Sequence, residues 1–304
     1  MKAPIRLGEE VREGLGDSRP VVALETSIVT QGMPYPTNLE AARATQEAVR
    51  SGGAIPALIG VLGGELVCGL TEVELERLGT SQVADKVQLR DLPRVVAEGR
   101  DGGVTVGASL FAAARCGIEV FVTGGIGGVS PGAGASFDVS ADLRAIADHA
   151  CITVCAGTKA FMDVAATLEY LETLSVPVAV WRSNRFPWFY SPDSGVKVEW
   201  RVDQAGDLAA AYRAGQRLGH QGGILLGVPI PPEEGLDAGT TRAAVDHALN
   251  ELNRQGIAGK DATPFLLQAV FKYTDGASLI ANTSLIEHNA RVGAELASAL
   301  VQSD

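Results

Sequence analysis

The chain has 304 residues, 46% of them hydrophobic, which is enough for one large domain or two modest ones with a sizeable buried core. The formal net charge of −11 at pH 7 argues against nucleic acid or an anionic membrane as the main partner. The N-terminus lacks the apolar segment of a signal peptide, and no apolar run approaches the ~20 residues that span a bilayer. We therefore expect a cytoplasmic protein without a membrane partner.

Apolar runs of strand length alternate with amphipathic segments along the whole chain, and several runs have the pattern of strands buried on both faces. We expect strands at residues 20–25, 55–62, 104–108, 119–124, 151–157, 176–181 and 223–230. Between them lie two capping boxes and one helix-starting proline: Thr37 with Glu40, Thr71 with Glu74, and Pro264 after Thr263. Residues 278–301 predict a long amphipathic helix.

This alternation predicts the α/β class, as a three-layer α/β/α sandwich with a mixed, largely parallel sheet. No linker, low-complexity tract or repeat divides the chain, so we expect a single domain over residues 1–304. Residues 182–203 break the alternation and, together with Trp181, hold all three tryptophans. We expect this segment to pack on the body of the domain or to form a subunit interface, with a pocket lining as the alternative.

The sequence does not match the common motifs for dinucleotide, nucleoside-triphosphate or zinc binding. The glycine run at residues 124–128 lacks the third glycine of a dinucleotide fingerprint, because position 130 is Ser130. Gly157-Thr158-Lys159 lacks the upstream glycine of a P-loop, so tight turns or backbone contact with a phosphate explain the glycines better. The histidines are scattered, which argues against zinc, and we expect the cysteines to be buried reduced thiols: Cys68, Cys116, Cys151 and Cys155.

Lys159 follows the apolar run that ends near residue 157, at the edge where open α/β sheets bind ligands. We expect Thr158 to be the N-cap of a helix and Lys159 to lie in its first turn. A positive helix end and burial would both lower the pKa of the lysine and favour Schiff-base chemistry. The alternative is a surface lysine at a helix start.

Three carboxylates and a second lysine complete the candidate set. Asp138 and Asp142 near a strand end suit a hard cation such as Mg²⁺ or Mn²⁺, or else Asp142 caps a helix. Glu25 ends the first apolar run, where it would act as a general acid or remain an ordinary strand-end carboxylate. Lys86 precedes an Arg-Asp-Leu-Pro turn and would either bind phosphate or be solvated.

Ordered motifs from about residue 8 to residue 300 resemble the pseudouridine-5′-phosphate glycosidase family, also called the indigoidine synthase A-like family. The resemblance rests on segments such as VVALETSIVTQGMPYP, VFVTGGIGGV, FDVSADL, VCAGTKAFMD, TPFLLQAV and SLIANTSLIEHNA. It implies an α/β/α fold, a homotrimer and a bound divalent cation, usually Mn²⁺.

The resemblance also implies roles for single residues. Lys159 corresponds to the Schiff-base nucleophile, Glu25 to the proton donor, and Asp138 to a metal ligand that binds directly or through water. The residues implied in binding the sugar phosphate and its surroundings are Lys86, Thr105, Val106, Ser140, Ala141, Asp142 and Asn282. The resemblance further implies a reaction at C1 of ribose 5-phosphate, with an aromatic or base aglycone as the partner.

The chain departs from the family pattern at several positions. Gln31 replaces a usual histidine, Ser130-Pro131 replaces His-Arg, Gly227-Val228 replaces Ala-Asn, and Val104 replaces a threonine. From these losses we predict that the ribose chemistry is kept and that the aglycone is larger and more apolar than uracil. The pattern resembles a C-glycosynthase of the family, which joins ribose 5-phosphate to an aromatic polyketide in antibiotic biosynthesis.

Synthesis is therefore the leading hypothesis from the sequence. The first alternative is cleavage of pseudouridine 5′-phosphate to uracil and ribose 5-phosphate, with the departures as neutral drift. The second alternative is an inactive homologue that binds sugar phosphate.

Overall fold

Eleven strands form one sheet in the part of the chain that the computed structural model describes, which is residues 5–257, 259 and 262–303. The strands are β1 Ile5–Leu7, β2 Val21–Leu24, β3 Ile55–Leu62, β4 Glu65–Cys68, β5 Asp85–Val87, β6 Gly102–Val104, β7 Val120–Val122, β8 Ile152–Cys155, β9 Val178–Trp181, β10 Trp200–Val202 and β11 Ile224–Gly227.

Twelve α-helices accompany the sheet within the same described residues. They are α1 Glu9–Gly16, α2 Thr37–Ser51, α3 Glu72–Thr80, α4 Leu92–Ala97, α5 Val106–Cys116, α6 Ala133–Ser136, α7 Ala141–Asp148, α8 Val164–Thr173, α9 Ala205–Arg217, α10 Ala238–Gln255, α11 Ala262–Tyr273 and α12 Ala277–Gln302. A π-helical turn at Ile28–Gly32 and a 3₁₀ turn at Leu89–Asp91 lie between them. None of the helices in the described ranges is long and apolar enough to cross a membrane.

The strand order is β1-β4-β3-β2-β7-β8-β11-β9-β10, with β6 beside β3 and β5 beside β6. The pairs β3–β4 and β3–β6 are antiparallel, and the other pairs are parallel. The predicted mixed, largely parallel sheet is therefore confirmed. Because β2, β7 and β8 are parallel neighbours, their carboxyl ends meet at one edge, where Glu25, the glycine run and Lys159 follow.

Two apolar cores lie on opposite faces of the sheet. One core includes side chains from α1, α5, α7 and α8, and the other includes side chains from α2, α3 and α9. Residues alternate between the cores along β2, because successive side chains of a strand point to opposite faces. Helix α12 contributes Ala281 and Leu285 to the first core and residues from Ala290 onward to the second. The three-layer sandwich is confirmed.

Some local predictions are wrong at the ends of elements. Of the strand predicted at residues 104–108, only Val104 lies in a strand, because β6 is Gly102–Val104 and α5 begins at Val106. The Thr71–Glu74 capping box is confirmed, whereas Thr37 is already inside α2 and caps nothing with its side chain. Pro264 lies inside the first turn of α11, which is described from Ala262. The long C-terminal helix is confirmed as α12.

Candidate active site

The carboxylate of Glu25 lies at the carboxyl end of β2, where two hydroxyl groups hold it. Ser27 Oγ donates to Glu25 Oε2 at 2.5 Å, and Thr123 Oγ1, just past β7, donates to Oε1. Glu25 is half-buried, whereas Thr123 is buried. These two hydrogen bonds fix the carboxylate of Glu25 beside the carboxyl end of β7. The side chain remains partly exposed to solvent.

The glycine run at residues 124–128 continues the pairing of β7 with β8 beyond the regular strands. The Ala156 amide donates to Gly124 O at 2.9 Å, the Ile126 amide donates to Gly157 O at 3.1 Å, and the Lys159 amide donates to Ile126 O at 2.9 Å. The Lys159 side chain turns back on this run, with Nζ donating to Gly125 O at 3.0 Å. Glu25 and Lys159 thus contact residues 123 and 125 of one short segment.

The prediction that Lys159 lies in the first turn of a helix is wrong. Helix α8 begins at Val164, and its N-cap is Asp163, which accepts from the Ala166 amide at 3.0 Å. Thr158 pairs with Ile126 and Asp163 pairs with Val129, so the backbone between them remains beside the glycine run and cannot enter a helix earlier. Lys159 therefore does not lie in the first turn of a helix, and the predicted effect of a helix end on its amine does not apply.

The tryptophan-rich segment, residues 181–203, packs against the loop between β8 and α8 that carries Lys159. This agrees with the prediction that the segment packs on the body of the domain. Trp188 Nε1 donates to Ala160 O at 2.8 Å, and the Phe189 amide donates to Ala156 O at 2.8 Å. Both aromatic side chains are buried. This segment therefore holds the backbone on both sides of Lys159, at Ala156 and at Ala160.

Asp142 is buried, and it bridges two segments of backbone. Its Oδ1 accepts from the Gly107 amide at 3.1 Å, and its Oδ2 accepts from the Gly127 amide at 2.9 Å. Ser140 caps α7, and its Oγ accepts from the Asp142 amide at 3.2 Å. The carboxylate thus ties the first turn of α5, where Thr105 and Val106 lie, to the glycine run.

Asp138 differs from Asp142, whose two carboxylate oxygens both accept hydrogen bonds from backbone amides. It is exposed on the loop before α7, and its carbonyl accepts from the Ser130 amide at 3.0 Å. The described residues contain no group of three or more His, Cys, Asp or Glu side chains placed to hold a metal ion. A single exposed carboxylate fits a hard cation that is held mainly by water and a substrate phosphate.

The other implied binding residues come from three separate elements. Lys86 lies in β5 opposite Gly103, and the next residue, Val87, accepts from the Thr105 amide at 3.0 Å. Ala141 is exposed at the start of α7. Asn282 is buried on α12, and its Oδ1 has no hydrogen-bond partner among the described residues.

Two residues at this edge were missed by the sequence reasoning. Thr123 follows the apolar run of β7 just as Glu25 follows that of β2, so its position alone would have marked it. Asn289 lies inside α12, and its amide Nδ2 donates to Thr123 O at 2.8 Å. No local pattern distinguishes Asn289 from other polar residues of a long helix.

Cys155 lies at the end of β8, four residues before Lys159, but it does not offer a competing nucleophile. Burial raises the pKa of its thiol to about 12, although amide hydrogen bonds and the charge of Lys159 act in the other direction. The thiolate is the reactive form of cysteine, so Cys155 is inert at neutral pH.

A family model described as "Indigoidine synthase A like protein" matches residues 10–299. A protein of Caldanaerobacter subterraneus subsp. tengcongensis named pseudouridine-5′-phosphate glycosidase is 49% identical over 293 residues, covering 96% of this chain and 95% of that protein. A protein of the same name from Symbiobacterium thermophilum is 48% identical over 304 residues, covering 99% of both.

Two solved structures share the fold over nearly the whole chain. The prealnumycin C-glycosynthase AlnA, in complex with ribulose 5-phosphate, superimposes with a TM-score of 0.91 at 34% identity, covering 98% of this chain and 97% of that chain. An indigoidine synthase A-like protein from Thermotoga maritima gives a TM-score of 0.88 at 36% identity, covering 98% and 96%.

These comparisons show that the leading hypothesis of a C-glycosynthase is wrong. Full-length relatives at 43–49% identity are named glycosidases, whereas the C-glycosynthase is 34% identical. The structure gives other roles to two of the departures that suggested synthesis. Gln31 Nε2 donates to Ala84 O at 3.0 Å, and a Cβ at Gly227 would lie 2.9 Å from Pro187 of the tryptophan-rich segment.

Proposed function

The chain belongs to the indigoidine synthase A-like family, and from this premise we propose that it cleaves pseudouridine 5′-phosphate to uracil and ribose 5-phosphate. It is an enzyme of a family that acts on glycosyl bonds. The observation that carries the proposal is that the side chains of Lys159 and Glu25 both contact one short segment, residues 123–125, in a chain that matches the glycosidases almost from end to end.

The substrate explains why a lysine is needed. The C-glycosidic bond ends on a ring carbon, which has no lone pair that an acid could protonate. Ordinary glycosidases use two carboxylates and protonate the leaving oxygen, and that route is closed here. A covalent bond between C1 and an amine places a nitrogen lone pair next to the bond that must break, and this lone pair stabilises C1 as an iminium when the electron pair of that bond leaves with the base.

We propose that Lys159 forms this covalent intermediate. The ribose ring opens as its oxygen takes a proton, and the Lys159 nitrogen bonds to C1. The bond between C1 and the base then breaks, its electron pair remains with uracil and is protonated, and an iminium links C1 to Lys159. Water adds to the iminium and releases ribose 5-phosphate, which restores the amine. Glu25 moves the protons at the ring oxygen and at the base.

The sugar phosphate is proposed to lie near the start of α5. The Asp142 bridge holds Thr105 and Val106 in a fixed position relative to the glycine run, and Ser140 and Ala141 begin α7 beside them. Lys86 adds a positive charge from the neighbouring strand. We place the base near Asn282, whose buried Oδ1 has no partner among the described residues and would accept from a pyrimidine N–H.

A divalent cation, with Mn²⁺ as the ion tested first, remains part of the proposal. Asp138 would hold it directly or through water, and a bound cation neutralises phosphate charge. A homotrimer also remains a proposal, to be tested by light scattering of the purified protein.

The test combines turnover with chemical trapping. With Mn²⁺ and pseudouridine 5′-phosphate, we expect uracil release, and with ribose 5-phosphate and borohydride we expect added sugar mass on Lys159 by mass spectrometry. Lys159→Ala should lose both while it unfolds at the wild-type temperature. The exposed lysine variant Lys272→Ala is the matched control and should retain both. Uracil release by Lys159→Ala, or sugar mass on another lysine, would refute the covalent role.

A further inference from the structure

We propose that Asn289 is a positioning residue that holds the segment between the two catalytic side chains in its reactive conformation. The proposal rests on the proposed function, because it concerns the same site. Asn289 is fully buried on α12, and its Nδ2 donates to Thr123 O at 2.8 Å and reaches Gly124 O at 3.4 Å. These two carbonyls lie at the start of the glycine run.

Residues 123–125 connect the candidate proton donor to the candidate nucleophile. The Thr123 side chain donates to the Glu25 carboxylate, and Gly125 O accepts from Lys159 Nζ at 3.0 Å. A rotation of the peptide between Thr123 and Gly124 would therefore move both catalytic groups. Because glycines permit such rotations readily, contacts from outside the segment are needed to prevent them. Gly124 O already accepts from the Ala156 amide at 2.9 Å, and Asn289 adds a side-chain contact to Thr123 O.

Asn289 is well suited to provide that contact. It lies where α12 passes from one core to the other, between Ile286 and Ala290. The helix approaches closely enough that a Cβ on Gly124 would lie 3.0 Å from the Ile286 side chain. The amide is thus carried by a long, packed helix rather than by a loop, and long helices position side chains reproducibly.

The Oδ1 atom of Asn289 indicates that the contact with Thr123 does more than stabilise the fold. Asn289 Oδ1 is buried and has no hydrogen-bond partner among the described residues. An unpaired buried oxygen is unfavourable, and a group of this kind in a folded protein calls for an explanation. Fixing Thr123 and Gly124 gives that explanation, because the Nδ2 donor cannot be present without Oδ1.

The chain offers a matched control in Asn38. This asparagine is also buried on a helix, and its Nδ2 donates to two backbone carbonyls, Val29 O at 2.6 Å and Gly79 O at 2.9 Å. Neither carbonyl belongs to residues 123–125. Asn38→Ala thus removes the same kind of contact, together with the hydrogen bond that Asn38 Oδ1 accepts from the Leu39 amide at 2.8 Å, and none of these contacts involves residues 123–125.

The experiment compares Asn289→Ala, the isosteric Asn289→Asp and Asn38→Ala for unfolding temperature, kcat, KM and amide hydrogen exchange of residues 123–128. We expect similar losses of unfolding temperature for the two alanine variants. Both Asn289 variants should lose kcat roughly 10- to 100-fold with KM little changed, as small misplacements of reacting groups do. Exchange of residues 123–128 should accelerate only in the Asn289 variants.

A kcat for Asn289→Ala no lower than that of Asn38→Ala would overturn the proposal, and so would unchanged exchange of residues 123–128. Failure of both Asn289 variants to fold would also reject it, since the residue would then be needed for folding. If the wild-type protein releases no uracil, the proposed function fails by itself. Exchange of residues 123–128 would still decide whether Asn289 fixes this segment.

Discussion

The glycine run at residues 124–128 and the loop that follows it at residues 130–138, here the outer loop, differ in how their conformation is fixed. The glycine run is paired with residues 156–159 by backbone hydrogen bonds and is mostly buried. The outer loop is mostly exposed, and Phe137 in it is 85% exposed. For the proposed function, we infer that Glu25 and Lys159 are positioned before substrate binds, whereas the site of the proposed cation at Asp138 is completed by water and substrate.

The largest effect is expected at Glu25, on the preorganised side. Glu25→Gln keeps the size of the side chain but removes its transferable proton, so kcat should fall roughly 10²- to 10⁴-fold. The unfolding temperature should change little. Uracil release and circular dichroism melting measure the two quantities, with the exposed Glu13→Gln as control. Turnover within a few-fold of wild type would show that the proton comes from another group. The covalent step would then not depend on the groups fixed beside the glycine run.

The Asp142 bridge tests whether the preorganised side depends on its buried carboxylate. Asp142→Ala leaves the amides of Gly107 and Gly127 without their acceptor, and each such loss costs ~1–3 kcal/mol. Urea unfolding should therefore show a marked loss of stability. Asp148→Ala is the control on the same helix, because its pair with Arg144 is exposed to solvent and contributes little to stability. Equal stabilities of the two variants would mean that the bridge is dispensable.

Much of this arrangement follows from local sequence, and the part that does not depends on distant partners. The apolar run at residues 55–62 is a strand over its whole length, because it is buried on both faces. The short strands β1 and β10 escaped prediction, since they are strands only through pairing with β4 and β9.

The site divides in the same way. Glu25 and Lys159 follow apolar runs, so their place at the sheet edge was predictable from the sequence. The absence of a helix at Lys159 was not predictable, because it depends on the bridge between Val129 and Asp163. The contact of Asn289 with Thr123 joins residues 166 positions apart, and no local pattern reports it.

Two glycines allow the packing of the glycine run and of the outer loop to be compared directly. A Cβ at Gly125 would lie 2.5 Å from the Phe189 ring, whereas a Cβ at Gly134 in the outer loop would meet nothing within 4 Å. Gly125→Ala should thus destabilise the protein by ~1–3 kcal/mol. Gly134→Ala should be neutral or stabilise it by up to ~1 kcal/mol. Thermal unfolding of both variants measures this difference, and similar melting temperatures would show that the glycine run is not tightly packed.

The smallest effect is expected at Asp138, and it should appear only in cation dependence. A unit charge ~4 Å from a divalent ion in water contributes about 2 kcal/mol, so Asp138→Asn should raise the Mn²⁺ concentration for half-maximal activity roughly 10- to 30-fold. Because Asp138 is exposed, its loss should leave the unfolding temperature unchanged. Titration of uracil release with Mn²⁺ measures this, with the exposed Asp17→Asn as control. If saturating Mn²⁺ did not restore turnover, Asp138 would belong with the fixed groups of the glycine run, and the outer loop would not depend on its ligands.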